Sequence, residues 1–157
     1  HKEYRRQRQM CKETDAAILN YIADTAPLTG LGGDGTARSR AEINRWIAFV
    51  NADLHPTFKP LFGSTAYLQE DALIQRSHED ARTKLRTLYT RVDAHLQGRN
   101  WLAGDTHTGA DAYLFVTLRW AHKAGVDLSG LSALDAFFQR MLADADVQAA
   151  LQAEGLN

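Results

Sequence analysis

Few residues in this chain have both the type and the spacing that chemistry needs. The strongest local signal is Thr108-Gly109-Ala110-Asp111, placed at the head of the apolar run AYLFVTLRW. Thr-x-x-Asp is the spacing of a capping box. The threonine hydroxyl accepts from an amide of the first helical turn, and the acid reaches back to the amide of Thr108. The carboxylate also meets the positive end of the helix dipole. Losing such a cap costs about 0.5–2 kcal/mol, and more where the freed group is buried. Asp111 is therefore read as structural. The histidines, His1, His55, His78, His95, His107 and His122, show no His-Glu-x-x-His or comparable spacing, so no metal is expected. No Ser-His-Asp arrangement or nucleophile elbow occurs. Gly30, Gly32, Gly33 and Gly35 crowd into LTGLGGDGTARS but lack the Gly-Lys-Ser/Thr end of a phosphate-binding loop. That stretch reads as a flexible connector.

The elements that must position these residues are helical. Residues 14–25, TDAAILNYIADT, place Ala17, Ile18, Tyr21 and Ile22 on one face, with Thr14 or Asp15 as N-cap and Pro27 as terminator. A pattern over 38–62 carries the stripe Ile43, Trp46, Ile47, Val50 and Leu54, and Pro56 and Pro60 should kink or end it. A third helix spans roughly 70–97, with Ala81, Leu85, Leu88, Val92 and Leu96 inward. Glu79, Arg82, Lys84, Arg86 and Arg91 form a solvated face on its other side. Residues 109–124 are apolar on nearly every side, as a central helix should be. Helices over 131–143, joining Leu134, Phe137, Phe138 and Met141, and over 146–154, stopped by Gly155, complete an all-α bundle. Alternating β-branched runs are absent.

Length and composition narrow the class. At 157 residues the chain suffices for one domain with a substantial core. A net charge of −1 supplies no field that selects nucleic acid or an anionic membrane. Lys2, Arg5, Arg6 and Arg8 make only a weak nucleic-acid signal. Cys11 is the sole cysteine, which excludes an intramolecular disulfide and fits a reducing compartment. No apolar run approaches the roughly 20 residues of a membrane span, and HKEYRRQRQMCKE is unlike a signal peptide. A cytoplasmic location is expected.

Four segments in this order, AAILNYIAD, WIAFVNADLHPTFKPLF, NWLAGDTHTGADAYLFVTLRWA and DVQAALQAEGL, resemble the glutathione transferases, particularly their bacterial beta class. The resemblance covers about residues 13–157. It implies a C-terminal-type helical bundle of about five to six helices over 35–157. Residues 13–34 are then the remnant of the last thioredoxin-domain helix with its linker, and 1–12 a disordered or residual upstream segment. It also implies glutathione as co-substrate, a hydrophobic electrophile as partner, and a possible homodimer. Thiolate, not thiol, is the nucleophile in such a reaction. The half that stabilises it falls outside the resemblance, so the chain alone is expected to be inactive. Cys11 does not match the family's active-site cysteine.

The resemblance carries over to individual residues. His55, in ADLHPTF, matches a histidine near the glutathione sulfur, an auxiliary that hydrogen-bonds the thiolate or relays a proton. Asp53 matches an acid that reaches the glutathione site from a neighbouring subunit. Phe58, Phe62, Tyr113, Arg119 and Trp120 match positions around the electrophile pocket. There are departures as well. Thr14-Asp15 stands at the family's Glu-Ser or Glu-Gly step, Ala48 replaces an amide side chain, and Pro56 replaces a lysine. These departures motivate the alternative of a non-catalytic module of the same fold, used for protein interaction or for holding apolar ligands.

Overall fold

The computed structural model describes residues 16–156, and among them the backbone is helical or irregular, with no strand. The N-cap expected at Thr14 or Asp15, the basic cluster and Cys11 lie outside the described residues. Helix α1 occupies residues 16–25. Its inward face is Ala16, Leu19 and Ala23, while Ile18, Tyr21 and Ile22 are exposed. The face singled out in the sequence therefore points away from the bundle. A helix apolar on both sides cannot tell from its own pattern which side its neighbours take.

The glycine-rich stretch is folded, contrary to the expected flexible connector. Gly33 has φ +89, and a Cβ there would lie 2.2 Å from the Ser39 hydroxyl and 2.8 Å from Ile43 Cδ1. Asp34 accepts from the amide and hydroxyl of Thr36 at 2.9 and 2.7 Å, and Thr36 in turn caps α2 through the Ser39 amide. The carbonyl of Leu31 accepts from the amide of Gly109 at 3.1 Å. These bonds hold the stretch in a defined turn.

Helix α2, Ala37–Phe49, runs directly into a π-helical turn, Val50–Leu54, and a last helical turn α3, His55–Thr57. The amide of His55 reaches back five residues to the carbonyl of Val50. In a regular α-helix the Ala52 carbonyl would point at an amide that Pro56 lacks and would meet its ring. Widening the helix by one residue just before Pro56 carries the chain past it. Pro60 then opens a single 3-10 turn, Pro60–Phe62, which Gly63 closes at φ +88. The first proline is thus absorbed, and the second ends the segment.

The remaining helices match the expected spans to within one residue at each end. They are α4 (Asp71–Leu96), α5 (Gly109–Lys123), α6 (Ser132–Ala143) and α7 (Ala145–Ala153). The inward residues expected of α2 and α4 are all buried. All but Ala81 pack with Ala110, Leu114, Leu118 and Ala121 of α5 and with Leu134, Phe137 and Met141 of α6 in one continuous core. Burying each such aliphatic side chain contributes about 1.5–3 kcal/mol.

The charged side of α4 is not uniformly solvated. Arg82 Nε donates to the Ala124 carbonyl at 2.9 Å, and Arg86 donates to the Asp127 carbonyl at 2.9 Å, tying α4 to the end of α5. Cations there also suit the negative end of the α5 dipole. Asp93, nearly buried, accepts from the Leu134 amide at 2.9 Å and so helps satisfy the start of α6 from another helix. No described helix is long and apolar enough to cross a membrane.

Candidate functional site

Two polar side chains of the C-terminal bundle sit on opposite sides of α5. At its start, Asp111 is fully buried. One carboxylate oxygen accepts from the Leu102 amide at 2.8 Å. The other accepts from the amide and the hydroxyl of Thr108, both at 2.8 Å. Both halves of the capping box are formed. Burial pushes the acid above the ordinary carboxylate range, and the bonds from Leu102 and Thr108 oppose that shift. Both carboxylate oxygens accept from within the chain and the side chain is fully buried, so Asp111 presents nothing to a ligand.

His55 is differently placed. The π-turn and α3 bring it against α5, where its Nδ1 lies 2.7 Å from the Tyr113 hydroxyl. Tyr113 donates to Asn51 Oδ1 at 3.2 Å. Asn51 and His55 stand four residues apart and so share one side of the helical segment. The His55 ring is edge-on to Trp120, with centroids 4.9 Å apart. Trp120 also meets Phe58 and Phe62 edge-on at 5.7 and 5.5 Å, and these two stack at 5.6 Å. Such aromatic pairs add about 0.5–1.5 kcal/mol each beyond the area they bury. Phe58 is fully buried and forms the floor, whereas Phe62 is 53% exposed.

An opening adjoins this cluster. Ile18 and Leu19 of α1 and Ala112, Tyr113, Val116 and Trp120 of α5 line an apolar cleft of about 360 Å³. Val116 is 41% exposed, between the buried Phe115 and Thr117. Tyr113 and Trp120 belong to both cluster and cleft. An imidazole beside an apolar cleft can orient or exchange a proton with a ligand held there, while the rings supply flat contact area.

The other candidates are dispersed. Asp53 is exposed and lines a separate depression with Pro56, Asp80 and Lys84, on the α4 side of the π-turn. Arg119 donates to the Leu156 carbonyl, which pins the C-terminal turn, and lies over Phe115 at 6.0 Å. It borders a groove of about 1060 Å³ between α5, α6 and α7 that shares Val116 and Trp120 with the cleft. Within this chain, then, His55, Tyr113, Trp120, Phe58 and Phe62 come together, and Asp53 and Arg119 stand apart. Asn51 and Val116 went unrecognised in the sequence. The four-residue spacing of Asn51 from His55 was the available signal. Val116 looked like any other core residue. Among the described residues no group of three His, Cys, Asp or Glu side chains is placed to hold a metal.

Comparison with known proteins fits this arrangement. The family described as glutathione S-transferase, C-terminal domain, matches residues 44–145. Glutathione S-transferase GST-4.5 of Xanthomonas campestris pv. campestris is 99% identical over 143 residues, covering 91% of this chain and 70% of the relative. The solved glutathione-S-transferase from Xylella fastidiosa is 65% identical with a TM-score of 0.89, over 91% of this chain and 70% of that one. A sphingomonad glutathione S-transferase solved in complex with glutathione is 32% identical with a TM-score of 0.78, over 90% and 67%. The enclosed α5 with its capping box and the aromatic cluster around His55 are thus set in the helical domain that these enzymes share, and the chain belongs to the glutathione S-transferase family.

Proposed function

We propose that this chain serves conjugation of glutathione thiolate to hydrophobic electrophiles, as the helical part of a beta-class-like enzyme, and contributes the electrophile side of the site. The observation that carries this reading is the half-open cluster in which His55 contacts Tyr113 and Trp120 beside an apolar cleft. Tyr113, Trp120 and Phe62 take the flat face of the electrophile over the buried Phe58, and Arg119 borders the far end. His55 is the auxiliary group toward the sulfur. Activation of the thiol is assigned to the part of the relatives that this chain does not span. Asp53, exposed and turned from His55, is assigned to the glutathione site of a neighbouring copy in a homodimer.

Two measurements on the purified chain test this. An aromatic halide should quench tryptophan fluorescence saturably, and Trp120→Phe should abolish most of the quenching. Quenching that survives in Trp120→Phe would remove the electrophile from this cleft. Turnover of the aromatic halide with glutathione should be absent, and measurable turnover would contradict the division of labour. The second reading, a non-catalytic holder of apolar ligands, is favoured by the large groove between α5, α6 and α7, whose lining contains no acid. Saturable binding of glutathione at millimolar concentration or below argues against it.

A further inference from the structure

The groove between α5, α6 and α7 changes character along its length. Ala112, Val116, Trp120 and Lys123 recur at spacings of four and three, so they share one side of α5. At the α-helical rise this row extends about 16 Å along the axis. Its Ala112 end is the apolar cleft closed by Ile18 and Leu19. Its Lys123 end lies in the larger groove, whose facing walls include Phe138 and Leu142 of α6 and Leu151 of α7. Val116 and Trp120 line both spaces, so cleft and groove adjoin.

Charge enters at one end only. Arg119, His122 and Lys123 line the groove, and among the described residues no carboxylate does. The cleft has no charged side chain in its lining. A guanidinium has five N–H donors, and the bond from Arg119 to the Leu156 carbonyl uses one of them. The carbonyls at the end of α5, which would repel an anion, are already bonded. Those of Trp120, Ala121 and His122 accept from the amides of Ala124, Val126 and Gly125. We propose that groove and cleft together bind a linear amphiphile with an anionic head, a medium- to long-chain carboxylate. Its head is held at Arg119 and Lys123, and its tail lies along Trp120 and Val116 into the cleft.

This inference rests on the second reading, a holder of apolar ligands, and gives it a ligand class. Opposite charge fixes which end of the ligand enters which end of the groove, and the apolar length of α5 rewards a tail that reaches beyond Trp120. The tail then ends between Val116 and Ile18, in the space assigned above to the electrophile. A carboxylate long enough to arrive there excludes an aromatic electrophile, and a short one leaves the cleft free.

The test is calorimetric titration of the full chain with hexanoate, octanoate, decanoate and dodecanoate, each below micelle formation. Affinity should rise about fourfold per added methylene. Dodecyltrimethylammonium, with the same tail and the opposite charge, should bind about tenfold more weakly than dodecanoate. Lys123→Glu, a change at an exposed position, should narrow or reverse that preference. Val116→Trp fills the junction of groove and cleft and should remove the gain from octanoate to dodecanoate. An affinity that does not grow with chain length, or a Val116→Trp variant that keeps the full gain, would overturn the proposal. If the cation binds as tightly as dodecanoate, the anionic class is wrong and the holder of apolar ligands stands. If neither binds, both fail. No electrophile or glutathione is present, so the outcome is independent of conjugation.

Discussion

The two sides of α5 handle polar groups in opposite ways. At the start, Asp111 is sealed and receives hydrogen bonds from Leu102 and Thr108, all from within the chain. On the other side, Tyr113 and Trp120 hold His55 at the edge of a cleft where Val116 is left partly exposed. A fully buried carboxylate bonded at both oxygens within the chain holds structure. An imidazole set beside apolar space is the group we propose for a ligand. Saturation of hydrogen bonding and the presence of adjoining space, more than residue type, distinguish the structural polar group from the functional one.

This contrast can be broken most severely at Asp111. Asp111→Ala strands the Leu102 and Thr108 amides and the Thr108 hydroxyl in a dry site, where each lost partner costs about 1–3 kcal/mol. Urea unfolding should show a loss of about 3–5 kcal/mol, the range expected for a broken buried network. A loss below about 1 kcal/mol would mean the network is not a stabilising feature. The same residue has a pH signature. Burial raises its folded-state pKa above the unfolded value, so the acid form is favoured by folding. The stabilisation from that difference is complete below pH 3.8 and is lost as pH rises through the folded pKa. Measured against Asp111→Asn, wild-type stability should therefore decline as pH rises from 3.8 through the raised folded-state pKa. A difference that grows with pH would reverse the sign.

Asp93 offers an intermediate case, an acid that caps α6 from α4 and is not wholly enclosed. Asp93→Ala should cost about 1–2 kcal/mol, the scale of a lost helix cap, and thermal unfolding will show whether it falls between Asp111 and His55. The smallest change in stability is expected at His55. His55→Ala should alter unfolding free energy by less than about 1 kcal/mol. It should nonetheless perturb the tryptophan fluorescence response to an aromatic halide, because the ring it removes lies against Trp120. If His55→Ala destabilised the chain as much as Asp111→Ala, the contrast would be lost.

Legibility in the sequence followed the range of the interactions. The inward stripes of α2 and α4 were readable because a helix repeats its faces every three to four residues, and each stripe faces a single side. The capping box was readable because its partners lie within one turn of each other. The outward face of α1, the packed turn at Gly33 and the bonds from Arg82 and Arg86 were not, because each depends on what another segment places opposite. At the site, His55, Phe58, Phe62, Tyr113 and Trp120 were named through resemblance, and Asn51 entered only with coordinates.

The sequence by itself determined the helices, their limits and the role of Asp111, since periodicity, capping and proline act over a few residues. Only the tertiary structure decided that Tyr113 would stand between Asn51 and His55, residues sixty positions away in chain order, give or take a turn. It also decided that a cleft would open beside Val116, because packing against distant helices chooses which faces are sealed and which remain open.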